Sequence, residues 1–307
     1  MHVLDRLRTA CSTVAQRAEQ VRIERDAIPT YAASLPADSP PPDRDAHLTH
    51  GPRERRAAFW LTLDAINFGS GWFPTLRKRS GRSGYSTIAS GVRERFEAHG
   101  PWSALQLQAI EPAEIAEVLG QDPDHELMRL FAVSLNDLGR HLATGFDGGF
   151  AAVADAAGGS AAALAQILAG WECFADTSID PNPRLELPFL KRAQIAAADL
   201  ARAGVAAFRD LNRLTMFADN LVPHVLRLDG LLTYDPALVE RIGRGELIEH
   251  DSPEEVEIRA CALHTVALIA AKRAGALEAD IDWLLWYRGQ EPRYKAVPRH
   301  RSRCTAY

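Results

Sequence analysis

Apolar residues recur at three- and four-residue spacing through most of the chain, the period of helices with one buried face. The strongest run covers residues 124–142, where Leu127, Leu130, Phe131, Leu135, Leu138 and Leu142 form one stripe. A weaker amphipathic pattern spans residues 5–26. Further helices are predicted over 54–66, from Ser86 to about Ala98, and over Glu111–Leu119 with Gly120 as its stop. Two alanine-rich helices follow, split by Gly158-Gly159, the second capped by Ser160. Lys191–Leu211 is predicted as one long helix with Ala197, Leu200, Ala201, Gly204, Val205 and Phe208 on its inner face. Asp235-Pro236 opens a short helix that Gly243 closes. Ser252-Pro253-Glu254-Glu255 has the form of a capping box ahead of the stripe Val256, Ala260, Leu263 and Ala267.

The stripes are separated by breakers. Ser34–Asp45 is rich in proline and aspartate and is predicted to be an extended connection, and Asp180-Pro-Asn-Pro183 interrupts the chain again. From Asn67 to Tyr85 glycine and serine surround Arg77, Lys78, Arg79 and Arg82, a composition that suits a loop or small hairpin. The stretch from Gln290 to Tyr307 is basic and irregular. No βαβ alternation or tandem repeat is present. The expected fold is mainly α, a compact multi-helix unit with one small β-hairpin, organised as residues 1–45 (helix and proline-rich connection) and a main domain over 46–307.

Composition narrows the partners. With 307 residues, 47% of them hydrophobic and 24% charged, the chain can build a large core and has the balance of a soluble globular protein. A net charge of −5 argues against coating nucleic acid, which needs many phosphate-neutralising cations. Cys11, Cys173, Cys261 and Cys304 lie far apart without paired histidines, so neither a disulfide framework nor a metal or cofactor is expected. No apolar run reaches the ~18 residues of a membrane span, and Met1-His-Val-Leu-Asp-Arg-Leu-Arg lacks a signal-peptide core. A cytoplasmic monomer with no membrane or nucleic-acid partner is the expectation.

Chemistry concentrates in Thr215–Arg227. Asp219 or Asn220 caps a helix there, with Pro223 in its first turn and Val222, Val225 and Leu226 inward. A carboxylate at that end meets unpaired N–H groups and the positive end of the helix dipole, so it stays ionised and can face a transient cation. Taken alone, a cap is the plainer interpretation. Lys191 opens a helix against its dipole, where it either sits in solvent or pairs with a carboxylate or a ligand anion. Asp282 precedes Trp283, Trp286 and Tyr287, an arrangement that fits either a cap on an aromatic core helix or a hydrogen-bonding acid beside a stacked heterocycle. His47 and His50 show no metal-ligand spacing, and His264 suits a core helix. Gly81-Arg-Ser-Gly84 lacks the spacing of a phosphate-binding loop.

Several of these segments together resemble the queuosine salvage proteins, which are queuosine 5′-phosphate N-glycosylases. The match is carried by Leu63-Asp-Ala-Ile-Asn-Phe68, Ser83-Gly-Tyr85, Lys191-Arg-Ala-Gln-Ile195, Leu214-Thr-Met-Phe-Ala-Asp219, Glu255-Val-Glu-Ile-Arg259, Asp282-Trp-Leu-Leu-Trp286 and the tail Pro298-Arg-His-Arg to Tyr307, in family order over roughly 45–307. The resemblance implies an all-α fold similar to helix-hairpin-helix DNA glycosylases and hydrolysis of queuosine 5′-monophosphate to queuine and ribose 5-phosphate. It makes Asp219 the catalytic carboxylate and Lys191 its active-site partner. A pocket histidine falls on His47 or His50, with His47 preferred. Phe217, Trp283 and Trp286 are stacking candidates. Asp282 is a partner for the base, Asn220 and Tyr287 are further substrate contacts, and Lys191, Arg192 and the tail arginines are candidates for the phosphate. Gly69-Ser-Gly-Trp-Phe73 departs from the aromatic-rich run of the family, with Trp72 as a replacement ring. A DNA-base glycosylase and a non-catalytic helical nucleoside binder are the competing readings.

Overall fold

The computed structural model describes every residue except Met1, Ser39, Asn182 and Pro183. Among the described residues there are fifteen α-helices and two small antiparallel strand pairs, so the chain is mainly α. The predicted stripe at 124–142 is the helix Glu126–Gly145, and its six apolar residues face inward, with Leu130 only partly buried.

The helix Arg53–Ala65 is buried from Ala57 onward and runs through the middle of the molecule. It packs against the helix Lys191–Arg202, and the helix Val3–Arg17 packs on Pro253–Ala270 within the same core. The predicted 191–211 helix therefore stops early. Ala203 and Gly204 form a turn after Arg202, and Gly204 takes a left-handed φ of 64°, which ends the helical path and leaves Phe208 in irregular chain.

Other expectations also change. The first helix ends at Arg17, and Val21–Ile23 is a strand paired with Leu232–Tyr234. A helix over Ile28–Ser34 precedes the proline-rich connection, of which Ser39 lies outside the described residues. Residues 67–85 hold a 3₁₀ turn at Phe73–Thr75 and no strand, because the loop is pinned to the C-terminal segment. The Gly69 N–H donates to the Tyr307 carbonyl at 3.1 Å, and a Cβ on Gly71 would come within 2.3 Å of the Ser302 carbonyl oxygen, so only glycine admits this approach. The hairpin forms instead from Ser178–Pro181 and Arg184–Leu187, around the 180–183 break whose Asn182 and Pro183 lie outside the described residues.

The capping box at Ser252 is only half made. Its hydroxyl accepts from Glu255 N at 3.3 Å, but the Glu255 carboxylate accepts from Asp251 N, one residue before the cap, while the Ser252 N–H goes to the Glu249 carbonyl.

Candidate functional site

Three of the segments that line a cleft of about 950 Å³, counting its mouth, carry most of the candidate side chains. The first is the Lys191–Arg202 helix. It starts abruptly after Leu190, which holds a left-handed φ of 50°, a costly conformation for a branched side chain. The Leu190 N–H donates to the Asp176 carbonyl at 3.0 Å, and the Lys191 N–H donates to Asp176 Oδ2 at 2.9 Å, so Asp176 fixes this entry. Lys191 is 5% exposed, and its Nζ donates to both oxygens of Asn67, at 2.7 Å to the carbonyl and 3.2 Å to the side chain. Burial lowers its pKa to about 8, with the Asp219 charge acting in the opposite direction.

The second segment, Thr215–Asp219, has no regular structure and is held by side chains. Thr215 N donates to Gln194 Oε1 at 2.8 Å, Phe217 N donates to Asp282 Oδ1 at 3.0 Å, and the Ala218 carbonyl accepts from Arg259 Nε at 3.0 Å. Asp219 follows. Its Oδ1 accepts from Leu221 N at 2.8 Å and Val222 N at 3.0 Å, at the start of the helix Leu221–Leu228. Asp219 is thus the side chain that caps this helix, while Asn220 turns its amide to the His300 carbonyl at 3.0 Å. Only one Asp219 oxygen is used in the cap.

The third segment is the helix Glu278–Arg288, whose Asp282, Trp283 and Trp286 share the face toward the cleft. Asp282 lies inside the helix and does not cap it. Burial pushes its carboxyl well up, and the nearby Asp219 charge adds to that, so it keeps its proton where an ordinary carboxyl would not. Trp283 and Trp286 stack at 5.9 Å, and Tyr85 meets Trp286 edge-on at 5.4 Å. At the mouth, Lys295 and Arg299 add positive charge. Burial lowers both pKa values, with Asp219 opposing the shift at Arg299.

Residues 47–307 match the profile of the queuosine salvage protein family. The chain belongs to this family. It is 36% identical to the queuosine 5′-phosphate N-glycosylase/hydrolase of Sphaerobacter thermophilus over 99% of its length and 98% of that protein. Its identity to the Mus musculus protein of the same name is 33%, over 73% of this chain and 72% of that one. With the Dictyostelium discoideum protein of that name it is 29%, covering 81% and 77%.

The motifs that carried the family resemblance do not all reach the cleft. Asp219, Lys191, Phe217, Asn220, Asp282, Trp283 and Trp286 line it together. Arg192 does not: it is fully buried, donates to the Ala65 carbonyl at 2.6 Å and lies 4.9 Å from the Phe68 ring. Tyr287 points outward and donates to the Pro41 carbonyl, as Trp283 Nε1 does to Pro40, so the proline-rich connection clamps this helix from outside. His47 sits one layer back, 2% exposed, and shares a 2.9 Å hydrogen bond with the Tyr85 hydroxyl. Burial lowers its pKa to about 4, so the ring is neutral. His50 is exposed. Trp72 bonds Glu126 at 2.7 Å away from the cleft, and Phe68 and Phe73 supply the rings there. The basic loop is tied into ion pairs, Arg77 to Asp122, Arg79 to Glu94, and Arg82 to Asp43 and Asp45.

Among the lining residues that fall outside the motifs are Asp199 and Arg202. Each occupies a helical position that would suit a surface residue equally well.

Proposed function

We propose that this protein hydrolyses the N-glycosidic bond of queuosine 5′-monophosphate, releasing queuine and ribose 5-phosphate. The observation that carries this reading is the half-used Asp219 carboxylate, set beside a buried lysine in a cleft with aromatic walls and a cationic mouth. As the C1′–N bond breaks, its electron pair leaves with the base and positive charge builds on the ribose. Asp219 faces that charge with the oxygen not engaged in the cap, by electrostatic support or covalent capture. Water supplies the new C1′–O bond and gives up a proton, and the departing base takes one up. Phe217 and Trp286 offer faces to the 7-deazaguanine ring. Asp282, kept neutral, presents an O–H donor to the base in addition to accepting from Phe217 N.

Lys295 and Arg299 are the groups assigned to the 5′-phosphate. Arg299→Ala is expected to raise KM for queuosine 5′-monophosphate by about tenfold to a hundredfold, the loss of one charge-assisted contact. Hydrolysis of free queuosine should change far less. Steady-state kinetics on both substrates, following queuine by liquid chromatography and mass spectrometry, decide this. An equal loss on both would place Arg299 elsewhere.

Lys191 sets an alkaline limit. Its pKa of about 8 means that the cation beside Asn67 and Asp219 is present below that pH and lost above it. We expect kcat/KM to fall as pH rises through about 8, and Lys191→Met to show a low rate without this step. A pH profile of kcat/KM that stays flat to pH 9 would remove the Lys191 charge from the mechanism.

A further inference from the structure

The long wall of the cleft is the Lys191–Arg202 helix, from which Lys191, Ile195 and Asp199 face the cavity at four-residue steps. At 1.5 Å per residue, Asp199 stands about 12 Å further along that wall than Lys191. The two ends differ in company. Asp219 heads the charges acting on Lys191, whereas Asp199 answers to Arg202 and Lys191. Asp199 therefore marks the end of the cleft away from the sugar-facing carboxylate.

Asp199 is 4% exposed, and its Oδ1 accepts from Arg202 NH1 at 3.1 Å. Among the described residues no donor meets its second oxygen. Arg202 is itself committed, its guanidinium lying 4.4 Å from the Trp283 ring centroid. Asp64, fully buried in the helix Arg53–Ala65, feels the Asp199 charge. Burial raises the pKa of both carboxyls, with the Asp199 charge adding to the rise at Asp64 and Arg202 opposing it at Asp199. The Arg202 cation favours the ionised form of Asp199, which places negative charge on the cleft side. A buried carboxylate with a free oxygen calls for a donor, and a cationic donor most of all.

This inference rests on the functional reading above. The substrate it names has one cationic donor, the secondary amine that links the 7-deazaguanine ring to its cyclopentenediol. That substituent is the longest extension of the base and is what separates queuosine from simpler 7-deazaguanosines. With the ribose over Asp219 and the phosphate at Arg299, the far end of the wall is left for it. We propose that Asp199 is a specificity-determining residue that binds the protonated amine of the 7-substituent through its free carboxylate oxygen.

Equilibrium binding tests this without turnover, by calorimetry with queuine and with 7-deazaguanine, which lacks the substituent. Asp199→Asn is expected to weaken queuine binding by about tenfold to a hundredfold and 7-deazaguanine by no more than about twofold. Equal losses on both bases would show a structural role and overturn the proposal, as would no loss on either. A queuine analogue with an ether oxygen in place of the amine gives a measurement on the unaltered protein. It should bind about as weakly as queuine binds the variant, and binding as tight as that of queuine would sink the idea even if Asp199→Asn misfolds. Queuine release from queuosine 5′-monophosphate by the unaltered protein is scored separately, so failure of the hydrolytic reading is told apart from failure of this one.

Discussion

Replacing Asp219 by Asn is expected to slow queuine release by about 10²–10³-fold while leaving the unfolding transition close to that of the unaltered protein. The substitution separates the two duties of this side chain. An asparagine oxygen still accepts from the N–H groups of Leu221 and Val222, so the helix keeps its cap. What disappears is the charge on the other oxygen, which is the part assigned to the ribose cation. Asp219→Ala removes both and should add about 1 kcal/mol of lost stability to the same kinetic defect. Single-turnover release of queuine and thermal unfolding, measured on both variants, separate chemistry from folding. Full activity in Asp219→Asn would take this residue out of the mechanism.

The second large effect is on stability. Arg259→Met is expected to cost about 3–5 kcal/mol, a large share of the roughly 5–15 kcal/mol that holds a domain folded. Arg259 has no exposed surface, and its NH2 donates to both Asp176 oxygens, at 2.9 and 2.7 Å. Glu255 lies 3.7 Å from NH1, and the guanidinium is 3.9 Å from the Phe189 ring centroid. Burial alone would raise the Glu255 pKa, yet Arg259 and His250 hold it down to about 2. Methionine fills much of the volume but leaves the buried Asp176 without its cation and Glu255 with His250 alone. The urea midpoint should drop, and adding Asp176→Asn should recover part of the loss. Activity should fall as well, because Arg259 Nε also holds the Ala218 carbonyl next to Asp219. A loss under about 1 kcal/mol would mean that water reaches this pair.

The helical class and the strongest stripe could be read directly from periodicity, because burial of one helix face leaves a 3.6-residue signature. The short strands leave none. Val21–Ile23 and Leu232–Tyr234 each have three residues, and their pairing depends on contact between distant parts of the chain. Local motifs singled out Asp219 and Lys191, which the fold brings to one cleft, but adjacency in sequence does not bring their neighbours there. Successive helical residues point about 100° apart, so Arg192 beside Lys191 faces the core and Tyr287 beside Trp286 faces away from the cleft. Asp64 lies inside a recognised motif without an evident task. Only the folded chain brings it within the charge of Asp199, 135 positions later.

The contacts around Arg259 also bear on the order in which this protein acquires its chemistry. The bonds that set Asp219, Lys191 and Asp282 in place join residues 41, 83, 124 and 65 positions apart. No single helix or hairpin contains enough of them to assemble the cleft alone. Each such closure carries a loop-closure entropy cost that the rest of the fold has to offset. Hydrolytic competence should therefore appear together with the last increment of native structure, and isolated fragments should have none.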